Sequence, residues 1–373
     1  MRLDRRSATK TGILALCAAV ARNSLAWSQP APTGLAALGA PRGMKVGIQC
    51  STGRFTQPVI GPFLQANFNM VTPPLKWVHL RPAADRYEFI AADQEFACAA
   101  AHGLAVHGHN LCWNDSNPEW LKAVLNRKNA QEYLTGYIQT VVGRYRGKVD
   151  SWDVVNEPIW LWSKRPDLLR TGTWFDLIGP EYIDLAFHTT QTADPSCLRT
   201  LNLNDCEQQS SHGEAVRAGS LNLVKALLKR GVPLQAVAME AHVDGPWRPR
   251  DTGFLNFVRA LKDTGVQVYL SEFDVNDTAI PGTEAQVKAA VAETYRSFLT
   301  DILSVVPLQR LIFWSMSDGF DWYGLLAPTH PRWQRPDGQP HRLGLTDEDF
   351  APNPAYHSLC EVLANYSRTR GVG

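Results

Sequence analysis

The chain lacks a charge bias. Lys and Arg number 37 against 36 Asp and Glu, a formal net charge of +1. So even a surface cannot neutralise a run of phosphates, and no nucleic-acid partner is expected. Metal-ligand spacings are also missing. The seven cysteines contain no C-x-x-C pair, and the ten histidines contain no H-x-x-x-H pair. No metal and no cofactor are expected. Long apolar runs are absent too: the stretch Gly12 to Ala21 is too short to be a permanent membrane anchor.

That short run has another reading. Arg2, Arg5 and Arg6 precede it, and Ser24-Leu25-Ala26 follows with small residues where a signal peptidase cuts. Residues 1–26 therefore read as an export signal, and the mature chain is expected in the periplasm or outside the cell, without a membrane partner. Arg5-Arg6 with Lys10 resembles a twin-arginine signal; an ordinary secretory signal is the alternative. Outside this segment six cysteines remain. Cys197 and Cys206 flank a predicted strand and are the pair that could bridge in an oxidising compartment; buried free thiols are the other reading.

Gln29-Pro30-Ala31-Pro32-Thr33-Gly34 looks like a flexible lead-in, extending over 27–43. From Met44 to the end no linker divides the chain, so residues 44–373 are expected to be one domain and a monomer. Eight short apolar runs read as strands: Met44–Ile48, Phe68–Val71, Leu104–His107, Ser151–Val155, Thr200–Leu203, Ala236–Met239, Val266–Leu270 and Leu311–Trp314. Helical stretches such as Glu214 to Lys229 and Ala285 to Ile302 lie between them. This alternation predicts an α/β fold with a parallel sheet, either a single (β/α)8 TIM barrel or an open doubly wound sheet. The strand ends favour the barrel. His109, Asn156-Glu157, Asn204-Asp205, Glu240 with His242, Glu272, and Ser315 to Asp318 each follow a strand candidate. A barrel would bring them all to one rim, where barrel enzymes keep their active sites.

Two carboxylates on such a rim are the minimum for cleaving a glycosidic bond: one protonates the departing oxygen, the other attacks the anomeric carbon or activates water. Glu157 ends Trp152-Asp153-Val154-Val155-Asn156-Glu157, and Pro158 after it favours an extended backbone there. Glu272 lies in Ser271-Glu272-Phe273-Asp274. The twelve Trp supply either core filling or flat surfaces for sugar rings.

These segments resemble glycoside hydrolase family 10, the xylanase family, over about Phe68 to Leu359. Supporting matches are Gly108 to Trp113, Ala193-Asp194-Pro195, Leu203-Asn204-Asp205, Phe313-Trp314 and Pro354-Ala355-Tyr356. The resemblance implies a retaining hydrolase acting on internal β-1,4 bonds of xylan or xylo-oligosaccharides by double displacement. It implies Glu157 as general acid/base and Glu272 as nucleophile. Asn156 would bond the sugar 2-hydroxyl, and His242 would bond Glu272. Lys76, His109 and Trp113 would line the glycone side, with Trp314 and Trp322 roofing the cleavage point. A β-1,4-glucanase, or a secreted sugar-binding protein with decayed catalysis, are the alternatives; two facing acids argue against the second.

Three departures from the family pattern stand out. The stretch before Lys76-Trp77 lacks the usual Glu-Asn pair. Glu240 stands where a Gln bonding the acid/base is usual, which is expected to raise the pKa of Glu157. Cys206 stands where a stacking Tyr is common. The stretch from Gly324 to Arg342 also matches poorly and is expected to form an altered loop.

Overall fold

The computed structural model describes residues 34–369, with side chains to residue 367; the expected export signal at 1–26 lies outside the described residues. Nine strands follow in chain order: β1 Lys45–Gln49, β2 Met70–Thr72, β3 Ala105–Gly108, β4 Ser151–Asn156, β5 Leu198–Leu203, β6 Ala236–Met239, β7 His242–Asp244, β8 Gln267–Asn276 and β9 Arg310–Phe313. Strands β1 to β6 pair in sequence, β6 pairs with β8, β8 with β9, and β9 returns to β1, all parallel. Eight strands thus close a (β/α)8 barrel. Short β7 extends the rim of β6 and pairs with the far half of β8.

All eight predicted runs are strands because parallel strands covered by helices are buried on both faces and read as continuous apolar stretches. Every residue of β4, β6 and β9 is buried. At the amino-terminal end of the barrel, Arg310 of β9 pairs with Asp150, just before β4, at 2.6 Å. Connecting helices start on side-chain caps. Ser210 accepts from the Gly213 N–H, and Thr283 forms a reciprocal capping box with Gln286; such caps satisfy amides that the first turn leaves open.

One expectation needs correction. The lead-in does not stay irregular to residue 43: Leu35–Gly39 is helical. Leu35 is buried, its N–H donates to Asn67 Oδ1 at 3.1 Å, and the Leu38 carbonyl accepts from Ser367 Oγ at 2.7 Å. Burial of Leu35 and these bonds outweigh the turn-rich composition upstream. Of the two readings of Cys197 and Cys206, the free thiols hold and the bridge does not form. Both are buried free thiols, with Cys206 Sγ 3.8 Å from Ser220 Oγ. No described helix is long and apolar enough to cross a membrane.

Candidate active site

Inside the barrel the polar side chains satisfy one another, which is what lets them be buried. His107 Nε2 and His109 Nδ1 lie 2.9 and 3.0 Å from the same Asp153 Oδ2. His109 follows β3 at Gly108, where a Cβ would meet the Trp152 ring at 2.1 Å; only glycine lets the β3 backbone pass that indole. The Asp153 bond fixes the His109 ring, whose Nδ1 is also 3.7 Å from Glu272 Oε1.

Glu272, midway along β8, is 5% exposed. Asn202 of β5 donates its amide to Glu272 Oε1 at 2.8 Å and to Asn156 Oδ1 at 2.6 Å, while Ser271 Oγ donates to Asn202 Oδ1 at 2.6 Å. His242 Nε2 stands 3.5 Å from Glu272 Oε2, and its Nδ1 2.7 Å from Asp274 Oδ1. Burial pushes the Glu272 carboxyl up, but the charge of His109 and the bond and charge of His242 outweigh it and hold the group below its ordinary value. Burial lowers His242, yet Asp274 more than reverses this and raises it well above the usual imidazole range.

Glu157 keeps part of its side chain exposed and is pushed the other way, to about 7. Burial is the main cause. Arg170 opposes it, and Asp115 adds to it. Arg170 pairs with Glu157 Oε2 through one guanidinium nitrogen and with both Asp115 oxygens, at 2.7 Å, through another. The extended backbone expected before Pro158 is not adopted: Glu157 has φ of 49°, the left-handed region that side chains usually avoid. Its N–H bonds Asn202 O at 3.0 Å, and with the Arg170 pair this holds the residue in place against the local preference.

Glu240 directly follows β6, and its carbonyl accepts from the Glu272 N–H at 3.1 Å. The side chain is 6% exposed, and among the described residues Oε1 has no hydrogen-bond partner. Its pKa is raised well above the carboxylate range by burial first, then by the charges of Glu272 and Glu157. The Glu157 pKa is raised, as expected, but burial of Glu157 itself is the leading cause there.

The remaining expected residues gather on the same rim. Lys76 Nζ sits 4.7 Å over the Trp113 ring, and Trp314 packs edge-on to His109 at 5.1 Å. With Gln49, Pro73, Pro74 and His79, Lys76, His109 and Trp314 line a recess whose His109 also lies against Glu272. Trp322 donates its indole N–H to Asp274 Oδ2 at 2.8 Å and lies 4.8 Å from the His242 ring. The Gly324–Arg342 stretch is tied down by Asp277, which pairs with Arg335 at 3.0 Å and with His341, and its Trp333 packs against Trp322 at 5.1 Å. Sequence reading missed Arg170, Asp115 and Asn202. An Asn inside a buried strand was the one available signal, since such a side chain must find partners.

Comparisons with known proteins bear on the family and the fold. The model for glycosyl hydrolase family 10 matches residues 34–362. Endo-1,4-beta-xylanase B of Thermotoga neapolitana is 27% identical over 309 residues, covering 81% of this chain and 83% of its own. Endo-1,4-beta-xylanase 3 of Hypocrea jecorina is 28% identical over 302 residues, covering 80% and 77%. Native xylanase 10B of Thermotoga maritima superposes with TM-score 0.78 at 26% identity, over 90% of this chain and all of that one. Xylanase 10B of Thermotoga petrophila in complex with xylobiose gives 0.77 at 27%, over 90% and 98%. With the family pattern running through nearly every described residue, on a closed barrel of the same shape, the chain belongs to glycosyl hydrolase family 10.

Proposed function

We propose that the chain is an endo-acting xylanase that hydrolyses internal β-1,4-xylosidic bonds with retention, using Glu157 as general acid/base and Glu272 as nucleophile. The observation that carries this reading is that two carboxyls on one rim have surroundings that push them apart: Glu157, beside Arg170 and Asp115, is raised to about 7, while Glu272, held by Asn202 and His242, is kept low. An acid must carry a proton at working pH and a nucleophile must not, so environments that push two carboxyls apart assign the two roles.

In the first step Glu157 gives its proton to the departing oxygen and the Glu272 carboxylate attacks the anomeric carbon. In the second, Glu157 takes a proton from water, which displaces Glu272. Retention by this route requires the carboxyl groups to lie about 5–5.5 Å apart. Asn156, with its Oδ1 occupied by Asn202, offers its amide N–H to the sugar 2-hydroxyl. Lys76, His109 and Trp113 hold the glycone, Trp314 and Trp322 cover the bond being cleaved, and Glu240 binds substrate beside them. The basic and apolar run within residues 1–26 supports export of the mature enzyme.

Incubation with a 2-fluoro xylobioside carrying a good leaving group tests the assignment. A covalent adduct located on Glu272 by mass spectrometry, with xylan hydrolysed in preference to carboxymethylcellulose, is the expected result. An inverted product anomer and no adduct would refute it.

A further inference from the structure

On the rim beyond Glu157 lies a group of aromatic rings that the chemistry above does not use. Trp160 and Trp162 follow β4; Trp160 precedes the short helical turn at Leu161–Ser163 and Trp162 lies within it. Trp162 is 58% exposed. Its ring lies 4.7 Å from that of Trp160 and 4.9 Å from that of His212. His212 opens the helix after β5, and its Nε2 is 2.9 Å from Asp205 Oδ2. Trp160 in turn lies under the Arg170 guanidinium at 4.2 Å, and Arg170 pairs with Glu157. Three consecutive contacts thus connect Trp162 to the acid/base candidate.

Position around the barrel gives the direction. Lys76 follows β2 and Trp113 follows β3, whereas Trp162 and His212 follow β4 and β5. Glu157 stands between the two groups. A general acid lies against the departing oxygen, so rings on the far side of Glu157 from Lys76 and Trp113 face the departing chain. A single exposed Trp is ordinary on a protein surface. This one is packed against two neighbours and anchored through His212 to Asp205, so its orientation is set before any ligand arrives, which lowers the cost of binding. Cys206, on the adjoining rim of β5, is wholly buried and offers no surface there.

We propose that Trp162, braced by Trp160 and His212, is a stacking platform for a sugar of the departing chain. The ligand class is a β-1,4-linked pyranose, whose apolar C–H face covers the indole. The inference rests on the reading of Glu157 as general acid. The platform would act on substrates long enough to reach it and leave short aglycones untouched.

The experiment compares Trp162→Ala and Trp162→Phe with wild type on an aryl β-xylobioside, whose leaving group is one phenol, and on xylohexaose. For Trp162→Ala the expected result is a KM for xylohexaose raised about three- to tenfold, the range of one aromatic contact, with kcat/KM on the aryl xylobioside within about twofold. Cleavage of xylohexaose should shift toward its reducing end, because registers with several departing sugars lose their support, and Trp162→Phe should restore most of the wild-type pattern. Equal change on both substrates, or an unaltered cleavage pattern, would overturn the platform. If wild type cleaves neither substrate, the acid/base reading fails and takes this inference with it.

Discussion

Arg170 forms an ion pair with Glu157 from a loop position thirteen residues further along the chain. Both side chains are largely buried, and Asp115 takes the opposite edge of the guanidinium. The pair works against burial: Glu157 is raised to about 7 chiefly by its loss of water, with Arg170 as the leading influence in the other direction. Arg170→Met removes that influence and leaves the Asp115 charge in place, so the Glu157 pKa should rise further. Cleavage needs Glu157 protonated, and its deprotonation sets the alkaline limb of kcat/KM. In the variant that limb should move to higher pH by roughly one unit, the lower end of what an adjacent opposite charge contributes. A pH profile on an aryl xylobioside checks this; a limb that stays put or moves down contradicts it.

Glu240 yields a prediction about stability. Its folded pKa lies well above that of an exposed Glu, so above the unfolded value the native state binds more protons than the unfolded chain. By linkage, such a group makes stability fall as pH rises from the unfolded pKa of about 4.3 toward the folded one. Glu240→Gln removes the titration but keeps a similar shape. The melting temperature of the variant relative to wild type should therefore climb between pH 5 and pH 8, by up to about 1 kcal/mol of stability per pH unit. Melting curves across that range test it. A difference that is flat with pH would mean that Glu240 ionises as freely in the native state as in the unfolded one.

Asn202 holds the two halves of the site together, donating to Asn156 Oδ1 and Glu272 Oε1 from one nitrogen. A hydrogen bond to a buried charge contributes about 1.5–3 kcal/mol. Asn202→Ala should therefore lower kcat by roughly ten- to a hundredfold with a smaller change in KM, because the loss falls on the aim and charge of Glu272. Steady-state kinetics on the purified, folded variant decides the matter. A kcat within about threefold of wild type would remove Asn202 from the working site.

How far the sequence could be read follows from these same residues. The barrel strands were legible because burial on both faces writes them as apolar runs, and Ala236–Met239 agrees to the residue with β6. Strand β8 was read only to Leu270 but continues to Asn276, since Ser271, Glu272 and Asp274 are polar groups that the barrel interior satisfies. Glu157 and Glu272 were found because they sit in dense local motifs. Arg170 carries no such motif. Its meaning comes from Asp115, 55 positions away, and from a left-handed backbone at Glu157 that Pro158 gave no reason to expect. Pairings set by the meeting of distant loops leave no trace in local spacing, so the electrostatic surroundings of the acid were out of reach while its identity was not.

The loop that matched the family poorly gives the last prediction. Arg335 is buried, donates to Asp277 Oδ2 at 3.0 Å and to the Asp277 and Ile280 carbonyls, and reaches Asp337 at 2.7 Å. His341 closes on the other Asp277 oxygen, and the Arg342 N–H donates to Oδ2 at 2.8 Å. Asp277 is fully buried, so Arg335→Leu would leave its charge with His341 as the main counter-charge. Removing one partner of a buried ion pair costs about 3–5 kcal/mol, here reduced by whatever His341 supplies. His341 itself is raised above its ordinary pKa, its burial being outweighed by the bond to Asp277. The stabilising effect of that rise is fully present below the unfolded His value of about 6.5 and fades as pH climbs through the folded value. In Arg335→Leu the His341 pair becomes the main support of Asp277, so the variant should lose more stability than wild type between pH 6 and pH 8. Because Trp333 in the same loop packs on Trp322, the loss should reach the active site as a raised KM before the barrel unfolds. Urea denaturation at pH 6 and pH 8, read beside KM at each pH, would show both effects; an equal loss of stability at the two values would mean that His341 does not carry the Asp277 charge.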